Sequence, residues 1–269
     1  MKNNFNLSGK YSLITGAGGL LGLQHALALA EINSNLILTD IDYKKLKTIK
    51  QEVSIKYSEI DIITYRMDVS KEAQIKKILK VLLKKRINID VLINNAAIDS
   101  KIKSNQKMTN SSKFENITLK EWHSHLSVGL TGAMLCSKIF GTNMAQNNIG
   151  GVILNIASDL SVIAPNHKIY KKGVFKPIMY SVLKHGLIGM TKYLSTYWNK
   201  KGIRCNALSP GPVEKNQAKS FIIKLKKEIP LNRLAKENEY KAAIQFLCSD
   251  ASSYMTGQNL IMDGGRSVW

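Results

Sequence analysis

The strongest constraint on this chain is a regular alternation between two kinds of segment. Short runs rich in β-branched residues fall at Tyr11–Thr15, Asn35–Thr39, Asp61–Arg66, Asp90–Asn94, Gly151–Ile156, Arg204–Leu208 and Asn259–Met262. Longer stretches with helical spacing of apolar residues lie between them, at Leu20–Ile32, Tyr43–Tyr57, Lys71–Lys85, Leu119–Gln146, Ile178–Lys200 and Glu237–Cys248. Consecutive strands joined by helices must run parallel, and a parallel sheet is stable only with both faces covered. Right-handed crossovers then predict a doubly wound α/β sheet of about seven strands. No repeat or linker divides the chain, so residues 1–269 are expected to form one domain.

Composition narrows the function classes. A hydrophobic fraction of 44 % against 22 % charged residues excludes a disordered chain. No apolar run reaches the ~18–20 residues of a membrane span. The polar segment Met1–Lys10 lacks the apolar stretch of a secretory signal. Cys136, Cys205 and Cys248 are too few and scattered for a disulfide framework, and they read as reduced thiols of a cytoplasmic protein. His123, His125 and His185 show no metal-ligand pairing, so no metal site is expected. The net charge of +20 is the one extreme value, yet only five of the 39 basic residues are arginine. Lysines spread along the whole chain point to a solvated surface that attracts small anions, not to a nucleic-acid partner.

The first strand runs into Thr15-Gly16-Ala17-Gly18-Gly19-Leu20-Leu21-Gly22 and then into a helix. Glycines there allow a tight turn and let backbone N–H groups reach a pyrophosphate at the helix N-terminus, as in the Rossmann arrangement. Gly16, Gly18, Gly19, Leu21 and Gly22 are therefore candidate cofactor residues. Asp40 closes the second strand, 24 positions after Gly16, where a carboxylate accepts hydrogen bonds from the adenosine ribose. It would repel the extra phosphate of NADP, and no arginine adjoins it in the sequence, so NAD is expected over NADP. Lys44 and Lys45, a helical turn on, are the residues that would permit NADP. Asp42 suits the cap of the helix at Tyr43.

Tyr-x-x-x-Lys occurs three times, as Tyr43/Lys47, Tyr180/Lys184 and Tyr197/Lys201. Composition alone predicts about one match. Tyr180/Lys184 stands apart because Ser158 ends a central strand upstream of it, while the other two read as surface pairs. The spacing puts phenol and ammonium on one helical face. A phenol with an ordinary pKa of ~10 needs a shift of about three units, or ~4 kcal/mol, to act as a base near neutral pH. One ammonium ~4 Å away at an effective dielectric of ~20 supplies a Coulomb interaction of that size. Ser158 would hold the substrate oxygen, Tyr180 would move its proton, and hydride would pass to or from a nicotinamide.

Together with Asp68-Val69, Asn94-Asn95-Ala96-Ala97, Pro210-Gly211 and Gly257…Asp263-Gly264-Gly265, these motifs resemble the short-chain dehydrogenase/reductase family over essentially the whole chain. The resemblance implies Ser158, Tyr180 and Lys184 as catalytic residues, with Tyr180 and Lys184 also touching the cofactor. It further implies Asp68 and Val69 at the adenine, Asn95 and Ala96 along the cofactor, and Pro210, Gly211 and Val213 near the nicotinamide. Homodimers or homotetramers pairing the Leu119–Gln146 and Ile178–Lys200 helices are implied as well.

The departures are specific. Leu20 stands where the family has a glycine. Gly129, in Val128-Gly129-Leu130-Thr131-Gly132, replaces an asparagine that supports a proton-relay water, and a water beside Gly129 is expected to fill the space. Ser158 lies 22 positions before Tyr180, a wider gap than is usual in the family, which implies an insertion within 160–177. Tyr170 is rejected as the base because Val174 stands where its lysine would be. Ser158-Asp159-Leu160-Ser161 and the tail ending Arg266-Ser267-Val268-Trp269 resemble the flagellin-modification dehydrogenases of nonulosonic (legionaminic) acid pathways, implying a sugar, amino sugar or sugar-phosphate substrate. Lys168, Lys171, Lys172 and Lys176 are expected to draw a phosphate, His167 to bond a sugar hydroxyl, and Asp159 to bind substrate or cap a turn. Ser100–Asn116 is expected to be an exposed loop without a role. A 3-oxoacyl reductase and a dinucleotide-binding sensor without turnover are the alternative readings.

Overall fold

The computed structural model describes residues 4–98, 112–148 and 150–269. The strands are β1 Tyr11–Thr15, β2 Asn35–Asp40, β3 Ile62–Arg66, β4 Val91–Asn94, β5 Gly151–Ile156, β6 Ile203–Pro210 and β7 Asn259–Met262. They form one seven-stranded sheet in the order β3-β2-β1-β4-β5-β6-β7, parallel throughout. The order reverses between β1 and β4, which opens a crevice at the carboxyl ends of those strands.

Period-two alternation divides the apolar residues between two cores. Ile14, Leu36, Leu38, Ile93 and Leu154 face one side with Leu29 of α1 (Leu20–Ala30), Leu46 and Val53 of α2 (Tyr43–Lys56) and Ile244 of a C-terminal helix. Leu13, Ile37, Leu92 and Ile153 face the other side with Ile75 and Leu82 of α3 (Glu72–Lys84). The second core also takes Phe140 and Met144 of α4 (119–147) and Leu194 of α5 (Ile178–Tyr197). Helix α4 is a continuous helix whose α-helical segments Leu119–Leu126, Gly132–Cys136 and Thr142–Asn147 are joined by π-helical Ser127–Thr131 and Ser137–Gly141.

The expected elements are all present, with boundary shifts that have local causes. Asp42 caps α2 by accepting from the N–H groups of Lys44 and Lys45, and Thr118 and Glu121 form a reciprocal cap at the start of α4. The expected Ile178–Lys200 helix stops at Tyr197, where the chain enters a tighter turn at Asn199–Lys201 and leaves through Gly202 at φ +67°. The C-terminal helix begins only at Lys241, not Glu237. Glu239 is held by Arg233 at 2.6 Å and accepts from the Lys236 N–H, which fixes a turn there. This element (Lys241–Cys248) is α7, and α6 (Lys219–Lys226) was not expected from the sequence. Most of the expected Ser100–Asn116 loop lies outside the described residues, and Phe114–Asn116 forms a short 3₁₀ turn.

Two glycines at the β1–α1 turn answer to steric need. Gly16 has φ +63°, and a Cβ there would lie 2.7 Å from the Ala96 Cα. A Cβ on Gly22 would lie 2.5 Å from the Gly16 carbonyl oxygen. Gly22→Ala is therefore expected to cost ~1–3 kcal/mol in urea unfolding. At Gly19 a Cβ would meet only the Gly16 oxygen, at 3.3 Å, and Gly19→Ala is expected to cost less than about 1 kcal/mol. Equal losses would contradict the close packing of the turn.

Candidate active site

The β1–α1 turn is tied to β4 by Asn95. Its side-chain amide donates to the carbonyls of Thr15 and Gly16, both at 3.0 Å. The Thr15 hydroxyl in turn accepts the N–H groups of Asn95 and Ala96, at 3.0 and 3.1 Å. Gly19 sits at the N-cap of α1 with no side chain covering the helix end, so the first-turn N–H groups of α1, Leu21 among them, face the crevice with the positive end of the helix dipole. Asp40 spans two turns: one oxygen accepts from Gly18 N–H at 2.9 Å and the other from Asp42 N–H at 2.8 Å.

The sheet corrects one expectation about Asp40. No arginine adjoins it in sequence, yet Arg66 is its register partner on β3, and the Arg66 Nε donates to the Ile41 carbonyl at 3.2 Å. Arg66 is therefore the strand neighbour of Asp40, through a pairing that linear spacing does not show. Asp68, after β3, accepts from the Ser70 N–H and hydroxyl at 2.9 and 2.7 Å. Val69 is buried against α4, where a Cβ on Gly132 would come within 2.6 Å of it. On the far side of the crevice, Gly211 N–H donates to Met262 at 2.8 Å, and Val213 pairs with Ala235. Pro210 ends β6.

Lys184 and Ser158 meet at the end of β5. The Lys184 side chain is 5 % exposed, and its ammonium donates to the Ile156 carbonyl at 2.6 Å, two residues before Ser158. Tyr180 lies one turn earlier on α5, with the Lys184 Nζ 5.7 Å from its ring centroid. Burial, reinforced by the Lys176 charge, lowers the Lys184 pKa to about 7. Ser158 is buried; its hydroxyl donates to Asp159 at 2.8 Å and accepts from Leu160 N–H at 3.2 Å. The other Tyr/Lys pairs stay at the surface: Tyr43 and Tyr197 are exposed, and Tyr197 stacks on Tyr193. Tyr170 packs on Phe221, and burial pushes its phenol up to about 12.

The structure also defines the surroundings of three further groups. Beside Gly129 an apolar side chain closes in: a Cβ there would stand 3.0 Å from Leu183 Cδ1 and 3.1 Å from its Cδ2. The exposed His167 packs its ring edge-on against Phe175 at 5.3 Å. Of the four lysines expected to act together, Lys168, Lys171 and Lys172 are exposed on the surface. Only Lys176 reaches Tyr180, its Nζ lying 3.7 Å from the ring centroid. The 160–177 segment is anchored by Ile169, buried with Leu225, Ile229 and Leu234.

Sequence reasoning missed two polar networks. Asn94 donates to Ser137 at 2.9 Å and to Asn155 at 2.8 Å, and Asn155 donates to Thr191 at 2.8 Å, stitching β4 and β5 to α4 and α5. The second is ionic. Arg266 donates to Asp159 at 2.7 Å and to Glu228 at 2.8 Å, all near Ser158. Asp263 folds the tail back by accepting from the N–H groups of Gly265 and Ser267. Asp159 thus anchors the tail through Arg266 and bonds the Leu160 N–H at 2.8 Å. The quoted tail motif contained Arg266, but nothing in its spacing indicated a partner 107 residues away.

A glycine-lined helix N-terminus at the point of strand-order reversal, with a buried lysine one turn beyond a tyrosine at the neighbouring strand end, is the arrangement of a nucleotide-dependent oxidoreductase. Comparison with known proteins resolves the family. The sequence model of a family described as enoyl-(acyl carrier protein) reductase matches residues 16–267. The NAD-dependent glycerol dehydrogenase of Listeria innocua is 29 % identical over 98 % of this chain and 96 % of its own. The 3-oxoacyl-[acyl-carrier-protein] reductase FabG of Aquifex aeolicus is also 29 % identical, over 96 % and 98 %. A gluconate 5-dehydrogenase from Burkholderia cenocepacia, solved with NADP and tartrate, superposes with a TM-score of 0.86 at 26 % identity, covering 99 % of this chain and 98 % of that one. The chain belongs to the short-chain dehydrogenase/reductase family and is an oxidoreductase acting on CH–OH groups.

Removing Arg266 leaves the Asp159 carboxylate buried without its cation, which costs ~3–5 kcal/mol in comparable sites. Arg266→Leu is expected to lower unfolding stability by that amount in a urea titration. The joint replacement of Asp159→Asn with Arg266→Gln is expected to recover most of the loss, and no recovery would contradict the pairing.

Proposed function

We propose that the chain is an NAD(H)-dependent dehydrogenase that interconverts a hydroxyl and a ketone on a polyol, sugar, amino sugar or sugar phosphate. The observation that carries the reading is the Lys184 ammonium on the Ile156 carbonyl, which ties the helix bearing Tyr180 to the strand that leads into Ser158. The β1–α1 turn fits a dinucleotide: Gly16 adopts a positive φ, the α1 N-terminus lacks a side-chain cap, and Asp40 stands at the strand end beside it. A bound nicotinamide would supply the hydride acceptor or donor. Gly16, Gly18, Gly19, Leu21 and Gly22 would face the pyrophosphate, and Asp40 the adenosine ribose. Asp68, Val69, Asn95 and Ala96 would line the adenine side, with Pro210, Gly211 and Val213 at the other end.

In this mechanism Ser158 holds the substrate oxygen and Tyr180 removes the hydroxyl proton, or returns it in reduction. Lys184 would stabilise the phenolate and would be the residue to hold the cofactor ribose. Asp40 supports NAD, while Arg66 and Lys44 are the groups on which NADP binding would rest. The glycerol and gluconate named for the relatives support a hydroxyl-rich substrate. The motifs of the 158–161 turn and the tail support a place in surface-glycan (nonulosonic acid) biosynthesis. Exposed Met134 on α4 and Val182, Tyr193 and Tyr197 on α5 support pairing into a dimer or tetramer. The Aquifex relative favours a 3-oxoacyl substrate as the second reading.

Fluorescence titration is expected to show NADH binding at least about tenfold more tightly than NADPH, a difference of ~1.4 kcal/mol. Polyols or sugar phosphates should then give a change in nicotinamide absorbance where an acetoacetyl thioester does not. Tyr180→Phe is expected to abolish turnover while leaving NADH affinity within about twofold. Unchanged turnover would refute the base assignment, and tight NADH binding with no turnover of any polyol, sugar or thioester would favour a sensor.

A further inference from the structure

Two ammonium groups, not one, address Tyr180. Lys184 approaches from within α5, its Nζ 5.7 Å from the ring centroid. Lys176 arrives from the segment before α5 and lies closer, at 3.7 Å. Its placement follows from the chain: Pro177 forces the preceding residue out of the helical region and stands at the N-cap of α5, with Tyr180 N–H donating to its carbonyl at 3.1 Å. Lys176 is thereby delivered onto the first turn of the helix. A cation over an aromatic face within about 6 Å is held by the ring's electron density, and this attraction grows when the ring carries a negative charge.

The two lysines are not equivalent. Lys184 is almost fully buried, and with Lys176 close by its pKa falls to about 7. Lys176 is half-buried and keeps access to water. Near neutral pH the deep lysine is close to losing its charge, while Lys176 lies closer to the phenol ring. The remaining groups around this corner do not take over that task. On α4, Gly129 presents no side chain and its space is filled by Leu183. His125 on the same helix is lowered by burial and then by the Lys176 charge, although Glu121 acts in the opposite direction, so it contributes a neutral ring. After β5, the Asp159 charge is balanced by Arg266. His185, farther along α5, is exposed and bonds the Ser181 carbonyl.

We propose that Lys176 is a positioning residue for Tyr180: its ammonium on the phenol face stabilises the phenolate and sets the pH at which the base forms. The inference rests on the reading of Tyr180 as the base, and it assigns part of that tyrosine's activation to the 160–177 segment. Removing the charge has a definite sign at both partners. Without Lys176 the phenolate loses a cation and forms at higher pH. Lys184 loses a like-charged neighbour and also holds its proton to higher pH. Both limbs of a bell-shaped rate profile must therefore move in the alkaline direction together, which a general loosening of the site would not produce.

The test is Lys176→Met, with Lys176→Arg as the charge-conserving control and Lys176→Gln as the alternative should the methionine variant not fold. In the cofactor-free protein, tyrosinate absorbance of each variant minus that of the same variant carrying Tyr180→Phe isolates the Tyr180 titration. The midpoint is expected to rise by about one pH unit in Lys176→Met, equivalent to about a tenfold loss of phenolate below it, and to return in Lys176→Arg. In the kcat profile for the best polyol or sugar, both limbs are expected to shift by about the same amount at unchanged KM. An unmoved tyrosinate midpoint overturns the proposal, as does a raised KM for anionic substrates with an unmoved profile, which would make Lys176 a substrate ligand. Should no substrate turn over, the proposed function fails, and the absorbance titration still decides the role of Lys176.

Discussion

The splice between β1 and β4 holds the rest of the site in place. Asn95 has two amide hydrogens, and both are given to carbonyls of the β1–α1 turn. The Thr15 hydroxyl accepts two N–H groups from the β4 end. These bonds join the two strands where the sheet order reverses, and they force the Ala96 backbone so close to Gly16 that no side chain fits between them. The helix end above the turn can then face the crevice without a cap. Loss of this splice would release the turn, the start of α1 and the hold of Gly18 on Asp40 at once. Polar bonds are useful here because they fix direction as well as distance, which apolar packing beneath the turn cannot do.

Much of this architecture could be read in the sequence because its cause is local. Each buried strand shows its two faces as an alternation of residues, and Leu13 and Ile14 lie in different cores as that pattern requires. The β1–α1 turn could be read because close backbone approach admits only glycine, and Asp42 because an exposed N-cap needs a short acceptor. The pairing of Tyr180 with Lys184 was visible because both lie on one helix. What could not be read depended on which distant segments the topology brings together. Arg66 joins Asp40 only through strand register, Leu183 occupies the space at Gly129 only through the packing of α5 on α4, and Arg266 finds Asp159 only when the tail folds back. The anchoring of the 160–177 segment likewise depends on distant partners, since Ile169 is buried with Leu225, Ile229 and Leu234.

Two buried charge systems flank Ser158 and solve the desolvation problem differently. Arg266 is matched by carboxylates on two sides, so the tail, the 228 region and the 158–161 turn are locked together and the charge is retained. Lys184 has no carboxylate bonded to it; a backbone carbonyl is the acceptor found for it among the described residues, and its pKa falls toward neutrality. Each arrangement suits its position. A scaffold contact benefits from an ion pair that persists across the working pH range, whereas a buried lysine without a partner carboxylate changes its charge within that range.

The same contrast explains why a lysine-rich chain can tolerate so few charges inside. With +20 overall, most ammonium groups stay in water, where neighbouring like charges are screened over about a Debye length. Where the fold brings two of them onto a single ring, at Lys176 and Lys184, repulsion adds to burial in lowering the proton affinity of the deeper one. The aromatic ring they share makes the approach tolerable, because its electron density attracts both cations. Surface charge and site chemistry are in this sense linked at Tyr180, where two ammonium groups stand over one phenol ring and favour its anion.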